Sequence, residues 1–577
     1  MKKSIFFFLT LFVSVSLFAK DRELLWPKNK MPYAQEHQIA AMTNEVQAKG
    51  FKPDKNRIAY IEWFEAPPKD KRQDACMVLI SGGSYENCCD VGLINQWKEV
   101  FTKMGIQCVN LVYRTPRPKD MAIYQTAWAD GQRAIRMIRK QAKERGFNPE
   151  KIGVISMSAG SHLALLLGTS ALTPAYEHID ALDTIPCHIN WAIVNAPAYG
   201  TTDAEMGTPA TRQGYGPDVK LSNVFKFDQQ TCPMSLHHGA MDIYAPQTST
   251  LVYRQLRRMK IPADIHLYPH KGHGAYGLER GIEFMRQMGF IDTLAKEEYI
   301  LDRYATDDTP CLYHKASIWP EGKMPDFQEK QNKPYIEWYI PKDLKTKAIQ
   351  IVFAGGAYEY NKPEDHEVAP IRRYLNAKGM AVVVLKYRSP RPKAPLAKHT
   401  TAWQDLQRAI RIVRLEAESR GLDPNRIGIM GSSAGGHLTL MGTTSSMHRS
   451  YLPIDKIDNT PCNVQWGICI YPAYVLSDGI NGINAKGGNE DNVTFASDFS
   501  FDLKTAPMIF MHGDKDKYAA MNSVKTWERL LAMGIQCELH SFATRDHCFH
   551  RHASPQTGSY NCFDIIWEYL TNMGVNK

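Results

Sequence analysis

Two serines sit in settings that could make them nucleophiles. Gly431-Ser432-Ser433-Ala434-Gly435 fits G-x-S-x-G, and Ser156-Met157-Ser158-Ala159-Gly160 nearly does. Each follows a short apolar run, Ile427-Gly428-Ile429-Met430 or Ile152-Gly153-Val154-Ile155, and each precedes a helix-like segment. A sharp strand-to-helix turn of this kind exposes the serine oxygen above a sheet. A Gly/Ser turn capping a helix looks the same in isolation, so the second copy carries the weight. The separation is 433 − 158 = 275 residues.

A serine hydroxyl needs a base to take its proton and a carboxylate to orient that base. Copy two offers Asp514 and Asp516 after an apolar strand, while copy one has Ala240 and Asp242 at the same places. Only Asp242 and Asp516 occur in both, which selects them as the acids. For the base, copy one has His270 and His273, and copy two has His547, His550 and His552. The repeat offset pairs His273 with His547, but His270 with Thr544. Serine-to-acid spacing is 84 and 83 residues, and acid-to-histidine spacing is 31 in both. The order serine, acid, histidine is that of α/β-hydrolases. Ser156, Ser161 and Ser432 are nearby hydroxyls, but the matched register selects Ser158 and Ser433.

An oxyanion needs donors where its charge develops. Ser81-Gly82-Gly83-Ser84-Tyr85 and Ala354-Gly355-Gly356-Ala357-Tyr358 each follow an early strand. The expected donors are the amides of Gly83 or Ser84 with Ala159, and of Gly356 or Ala357 with Ala434. Copy one has Ser156 in place of the elbow's first glycine, and Ser161 where copy two has Gly436. Serine is small enough to fit there at some strain, and that copy is expected to be slower or to have drifted.

The elements that must position these groups also recur. Tyr113-Arg114-Thr115-Pro116-Arg117 returns as Tyr387-Arg388-Ser389-Pro390-Arg391, and Gln132-Arg133-Ala134-Ile135-Arg136 as Gln407-Arg408-Ala409-Ile410-Arg411. A period of 274 or 275 residues means duplication of a whole domain. Each copy alternates β-rich runs with helical patterns, which indicates α/β architecture with a mostly parallel sheet flanked by helices. In copy one the strands are placed near 59–65, 75–81, 107–113, 152–156, 189–195, 233–238 and 264–268, with helices over 128–145 and 161–168. The expected division is a signal peptide over 1–19, domain 1 over 20–292, a connector over 293–317 and domain 2 over 318–577. Copy one carries about 18 extra residues before Ile61, placed near 38–52 as a surface helix.

Lys2-Lys3, an apolar run from Ile5 to Phe18 and Ala19 read as a cleavable export signal, too short for a comfortable membrane span. A periplasmic or secreted protein is expected. The net charge of +9 comes from 69 basic and 60 acidic residues scattered throughout, with no basic block interleaved with aromatics, so nucleic acid is not an expected partner. The twelve cysteines show no metal-ligand spacing. They read mostly as buried apolar residues. No metal and no organic cofactor is called for by the chemistry.

The Gly-Gly-Ala-Tyr turn (355–358), the Tyr-Arg-Ser-Pro-Arg segment, the helix from Ala402 to Arg411 and Gly-Ser-Ser-Ala-Gly-Gly-His (431–437) together resemble bacterial carbohydrate esterases of the α/β-hydrolase fold. These are acetylxylan esterase and feruloyl esterase-like proteins related to the hormone-sensitive-lipase group. The resemblance covers nearly all of the chain after the signal, in two copies. It implies a serine esterase that removes acetyl or other small acyl groups from plant polysaccharide such as xylan. Feruloyl esterase activity in one domain is an alternative, as is a first domain that is weak in catalysis and binds carbohydrate. A serine peptidase fits less well, because such peptidases usually carry a gating domain. The segments 199–225 and 474–499 differ between copies and are expected to give the two sites different specificities.

Overall fold

The computed structural model describes residues 21–27, 29–34, 58–88, 91–202, 219–292, 309–362, 367–480, 482, 493–552 and 562–577. The expected signal peptide and the extra segment near 38–52 lie outside the described residues.

The first half contributes strands β1 (Asp21–Leu24), β2 (Tyr60–Trp63), β3 (Cys76–Ile80), β4 (Gln107–Val112), β5 (Ile152–Met157), β6 (Trp191–Asn195), β7 (Met234–Gly239) and β8 (Ala263–Tyr268). The second contributes β9 (Cys311–Ser317), β10 (Tyr335–Pro341), β11 (Ile349–Phe353), β12 (Ala381–Lys386), β13 (Ile427–Ser432), β14 (Trp466–Ile470), β15 (Met508–Gly513) and β16 (Cys537–Phe542). The strand order is 1-2-4-3-5-6-7-8 in the first half and 9-10-12-11-13-14-15-16 in the second. β2 and β10 run antiparallel to both their neighbours, and the remaining pairings within each half are parallel. This is the α/β-hydrolase arrangement, present twice. Central strands such as β3 (Cys-Met-Val-Leu-Ile) are buried along their whole length, as a sheet covered by helices on both faces requires.

The two sheets join edge to edge. β8 pairs antiparallel with β16, with Leu267 opposite Leu539 and His266 opposite His540, giving one sheet of sixteen strands. One buried apolar cluster crosses this seam and includes Val252, Leu256, Val524, Trp527 and Leu539.

The stretch 293–317, expected as connector, ends in a strand. β9 pairs with β10 from Cys311↔Pro341 to Ser317↔Tyr335, so the second half's sheet begins before 318. The strand is legible only in three dimensions because it forms a solvent-facing edge. Its residues Leu312, Tyr313, His314 and Lys315 are exposed, and apolar alternation is absent. The helix Val91–Lys103, which buries Ile94, Trp97 and Phe101, was not among the expected helices either.

Many repeated residues are structural. Asp130 is fully buried and accepts from Arg114 Nε at 2.9 Å and from Trp26 Nε1 at 2.7 Å. Asp405 accepts in the same way from Arg388 and Trp319. These ties fasten the entry segment of each half to its long helix, Gln125–Arg145 or Thr400–Glu416. Cys187 and Cys462 are buried free thiols, in keeping with the reading of the cysteines as mostly buried. Among the described residues, no helix is long and apolar enough to cross a membrane.

Candidate active site

Ser158 follows β5 and precedes the helix Ala159–Thr169; Ser433 follows β13 and precedes the helix Ala434–Thr444. Their backbones take φ/ψ of 59°/−124° and 56°/−118°. Serine rarely adopts positive φ, and the surrounding packing must hold it there. Small neighbours make the turn possible. A Cβ on Gly160 would lie 2.4 Å from the Ser81 carbonyl oxygen, and one on Gly435 would lie 2.7 Å from that of Ala354.

The residues selected by register come together. His273 Nε2 lies 2.8 Å from Ser158 Oγ, and His273 Nδ1 lies 2.9 Å from Asp242 Oδ2. In the second half, His547 Nε2 lies 2.8 Å from Ser433 Oγ and its Nδ1 lies 2.8 Å from Asp516 Oδ2. The alternatives point elsewhere. Asp514 pairs with Arg257 of the first half, across the seam. His550 Nδ1 bonds Tyr471 Oη at 2.6 Å, and His270 is exposed.

Burial by itself raises the carboxyl pKa of Asp242 and Asp516. The two neighbouring histidines outweigh it in each case, and both pKa values fall, that of Asp516 to about 2. Both acids are therefore carboxylates at neutral pH, each holding its histidine's Nδ1 proton. This leaves Nε2 as the acceptor for the serine proton.

The second histidine in each set was not foreseen. His238 reaches Asp242 Oδ2 at 3.2 Å through Nε2, and Ser249 Oγ lies 3.0 Å from its Nδ1. His512 and Ser523 repeat the pair, 2.8 Å apart. The signal was available in the sequence, since His238/His512 and Ser249/Ser523 each recur at an offset of 274. The tyrosine two residues after each acid also recurs. Tyr244 and Tyr518 donate their backbone N–H to the acid's Oδ1 at 2.8 Å.

The glycine turns approach the serines closely. A Cβ on Gly82 would lie 2.7 Å from Ser158 Cβ, and one on Gly355 would lie 2.9 Å from Ser433 Cβ. Gly83 and Ser84 have φ of 123° and 56°, while Gly356 and Ala357 have 83° and 54°, so the two turns share one left-handed path. Ala159 and Ala434 open their helices, and a first-turn amide has no intrahelical acceptor. A helix N-terminus also favours negative charge. In the second half, Glu367 Oε2 accepts from Gly355 N at 2.7 Å and Ser432 Oγ at 2.8 Å, which braces the turn against the elbow.

The added hydroxyls of the first elbow are accommodated. Ser156 Oγ bonds Ser161 Oγ at 3.0 Å, and Ser161 Oγ donates to the Asn195 carbonyl at 2.7 Å. The nucleophile torsions match the second half within a few degrees. The Ser156 hydroxyl is hydrogen-bonded in place, and the Ser158 torsions carry no distortion relative to Ser433.

Comparison with known proteins follows this division. The BD-FAE family model matches residues 64–209 and 336–465. Endo-1,4-beta-xylanase B of Butyrivibrio fibrisolvens is 25% identical over 267 residues, covering 44% of this chain and 37% of that protein. Acetylxylan esterase of Xylanibacter ruminicola is 25% identical over 229 residues, covering 38% of this chain and 44% of that protein. The match thus spans well under half the length of either relative. Among solved structures, the acetyl ester-xyloside bifunctional hydrolase of Caldicellulosiruptor lactoaceticus aligns at 24% identity and a TM-score of 0.37, covering 45% of this chain and 97% of that one. Thermogutta terrifontis esterase 2 aligns at 19% identity and a TM-score of 0.35, covering 46% and 95%. In two segments, one in each half, this chain is similar to the BD-FAE family.

Proposed function

We propose that the chain is an exported carboxylic ester hydrolase with two working sites, which remove acetyl or other small acyl groups from plant polysaccharide such as xylan. The observation that carries this reading is the hydrogen-bonded run from strained serine to histidine to buried carboxylate, repeated at 2.8–2.9 Å in both halves. The related acetylxylan esterase and xylanase support the polysaccharide as substrate.

In each site the histidine takes the serine proton as Oγ attacks the ester carbonyl. Asp242 or Asp516 stabilises the imidazolium that forms. The oxyanion of the tetrahedral adduct accepts from the amides of Ser84 and Ala159, or of Ala357 and Ala434, with Gly83 and Gly356 as the neighbouring candidates. The histidine then passes its proton to the departing sugar hydroxyl. Water, activated by the same histidine, releases the acid and restores the serine.

The two sites have different walls and are proposed to prefer different esters. Lys398 of the second half lies over the Tyr474 ring at 4.1 Å, where the first half has Ile123 at the matching position. The test is acetate release from acetylated xylan by the wild type, Ser158→Ala, Ser433→Ala and the double variant. Each single variant should retain part of the activity, and the double variant should lose it by at least about a thousandfold. A double variant as active as the wild type overturns the reading.

A further inference from the structure

The second half contains a cluster of ligand-type side chains that the ester chemistry does not use. His437 lies four residues beyond Ser433 on the elbow helix, His399 immediately precedes the long helix Thr400–Glu416, and Asp498 lies at the end of the variable segment 474–499. One ligand atom from each lies within 4.8 Å of the other two. Asp498 Oδ2 is 3.4 Å from His437 Nε2, and Asp498 Oδ1 is 3.7 Å from His399 Nε2.

These separations have the scale of a coordination polyhedron. Ligands about 2.0–2.1 Å from a tetrahedral ion lie about 3.3–3.4 Å from one another. His437 is nearly fully buried, and its Nε2 has no hydrogen-bond partner. An imidazole nitrogen is left this way at a cost unless something else satisfies it. Its other nitrogen is fixed by Tyr358 Oη at 2.8 Å, the outer-shell contact that orients a metal-bound histidine. Lys398, the nearest cation in sequence, donates from Nζ to the Ile480 carbonyl and acts on Asp498 only through space. The Asp498 side chain is 15% exposed, which leaves an entry path from solvent.

The first half provides an internal control. His162 keeps the bond to Tyr85 Oη at 2.8 Å, so the tyrosine–histidine pair belongs to both halves. The positions of His399 and Asp498 are occupied there by Tyr124 and Val224. Phe225 and Phe499 contact the two histidines at 5.3 and 5.2 Å, which confirms the register. The second half therefore has two additional ligands, both converging on a histidine the halves share.

We propose that His399, His437 and Asp498 form a site for a borderline divalent cation of the zinc type, with water completing the shell. Two imidazoles and one carboxylate favour such an ion over magnesium or calcium, which take oxygen ligands. The ion has no role in acyl transfer. It would clamp the end of the variable segment to the elbow helix, beside Tyr474, and so hold one wall of the second site.

The test uses the full chain, stripped with chelator, dialysed against Zn²⁺ and analysed for bound metal, with Co²⁺ absorption reporting ligand geometry. The variants are His399→Tyr and Asp498→Val, which install the residues the first half already carries. The expected result is one more Zn²⁺ per wild-type chain than per variant, tetrahedral Co²⁺ bands in the wild type alone, and a Zn²⁺-dependent rise in Tm that both variants lose. Equal metal content in wild type and folded variants overturns the proposal, as does a wild type with no Co²⁺ bands. If either variant fails to fold, the wild-type Co²⁺ spectrum decides alone. No ester is needed for any of these readouts, so the site can stand if the esterase reading falls, and the reverse.

Discussion

His266 Nδ1 and His540 Nδ1 face each other at 2.8 Å across the seam between the two halves. They occupy matching positions of the repeat, 274 residues apart, so the pair lies where the duplication meets itself. At that distance one nitrogen must donate and the other accept, and two imidazolium rings could not occupy the seam together. Burial lowers the His266 pKa well below its ordinary value, and the neighbouring His237, His540 and Arg280 lower it further.

The sign of the resulting pH dependence follows from linkage. A histidine whose folded pKa is lowered binds fewer protons when folded than when unfolded. Stability is then lost as pH falls below the unfolded value of about 6.5. The seam should weaken between pH 7 and pH 5. His266→Phe should reduce the slope of unfolding free energy against pH by up to about 1.4 kcal/mol per pH unit, measured by urea unfolding at several pH values. Identical slopes for both proteins would show that the pair does not report on folding.

His238 should act on the first site by positioning Asp242. In a Ser433→Ala background only the proposed first site keeps its serine, so His238→Phe can be read there cleanly. Loss of a close imidazole contact to a buried carboxylate costs about 1.5–3 kcal/mol, which corresponds to a fall in kcat of about 10- to 100-fold with KM nearly unchanged. His238→Gln, which keeps a donor, should recover part of the loss. A rise in KM with kcat intact would assign His238 to substrate binding instead.

Asp516 should contribute to acid stability. Its folded pKa is lowered to about 2, beneath an unfolded value of about 3.9. The stability it supplies is present above that unfolded value and is lost as pH falls towards about 2. Urea midpoints of the wild type should therefore drop more steeply between pH 4.5 and pH 2.5 than those of Asp516→Asn. Parallel curves would mean that Asp516 has the same proton affinity folded and unfolded.

Gly428 should tolerate no side chain. A Cβ there would lie 1.9 Å from Trp466 Nε1, an atom that donates to Gln350 Oε1 at 2.8 Å. Gly428→Ala should lower stability by about 1–3 kcal/mol through overpacking, with the second site affected more than the first. Gly153 faces Trp191 in the same way and gives the matching test in the first half. An unchanged Tm would mean that the tryptophan can move aside.

The sequence alone determined the duplication, the α/β layering and the selection of serine, acid and histidine in each half. Two copies at a constant offset make chance resemblances cancel, and buried parallel strands announce themselves as unbroken apolar runs. The same comparison could not separate scaffold from site. Arg114 and Arg388 recur as faithfully as the serines, and only the fold shows that they are bonded to the buried Asp130 and Asp405. Strand β9 was hidden because an exposed edge strand needs no apolar pattern. Tertiary structure alone decided that Asp514 faces Arg257 of the other half, that β8 meets β16, and that His399, His437 and Asp498 converge. Their ligand atoms meet only after the chain has folded, and no local spacing records an encounter between residues so far apart in sequence.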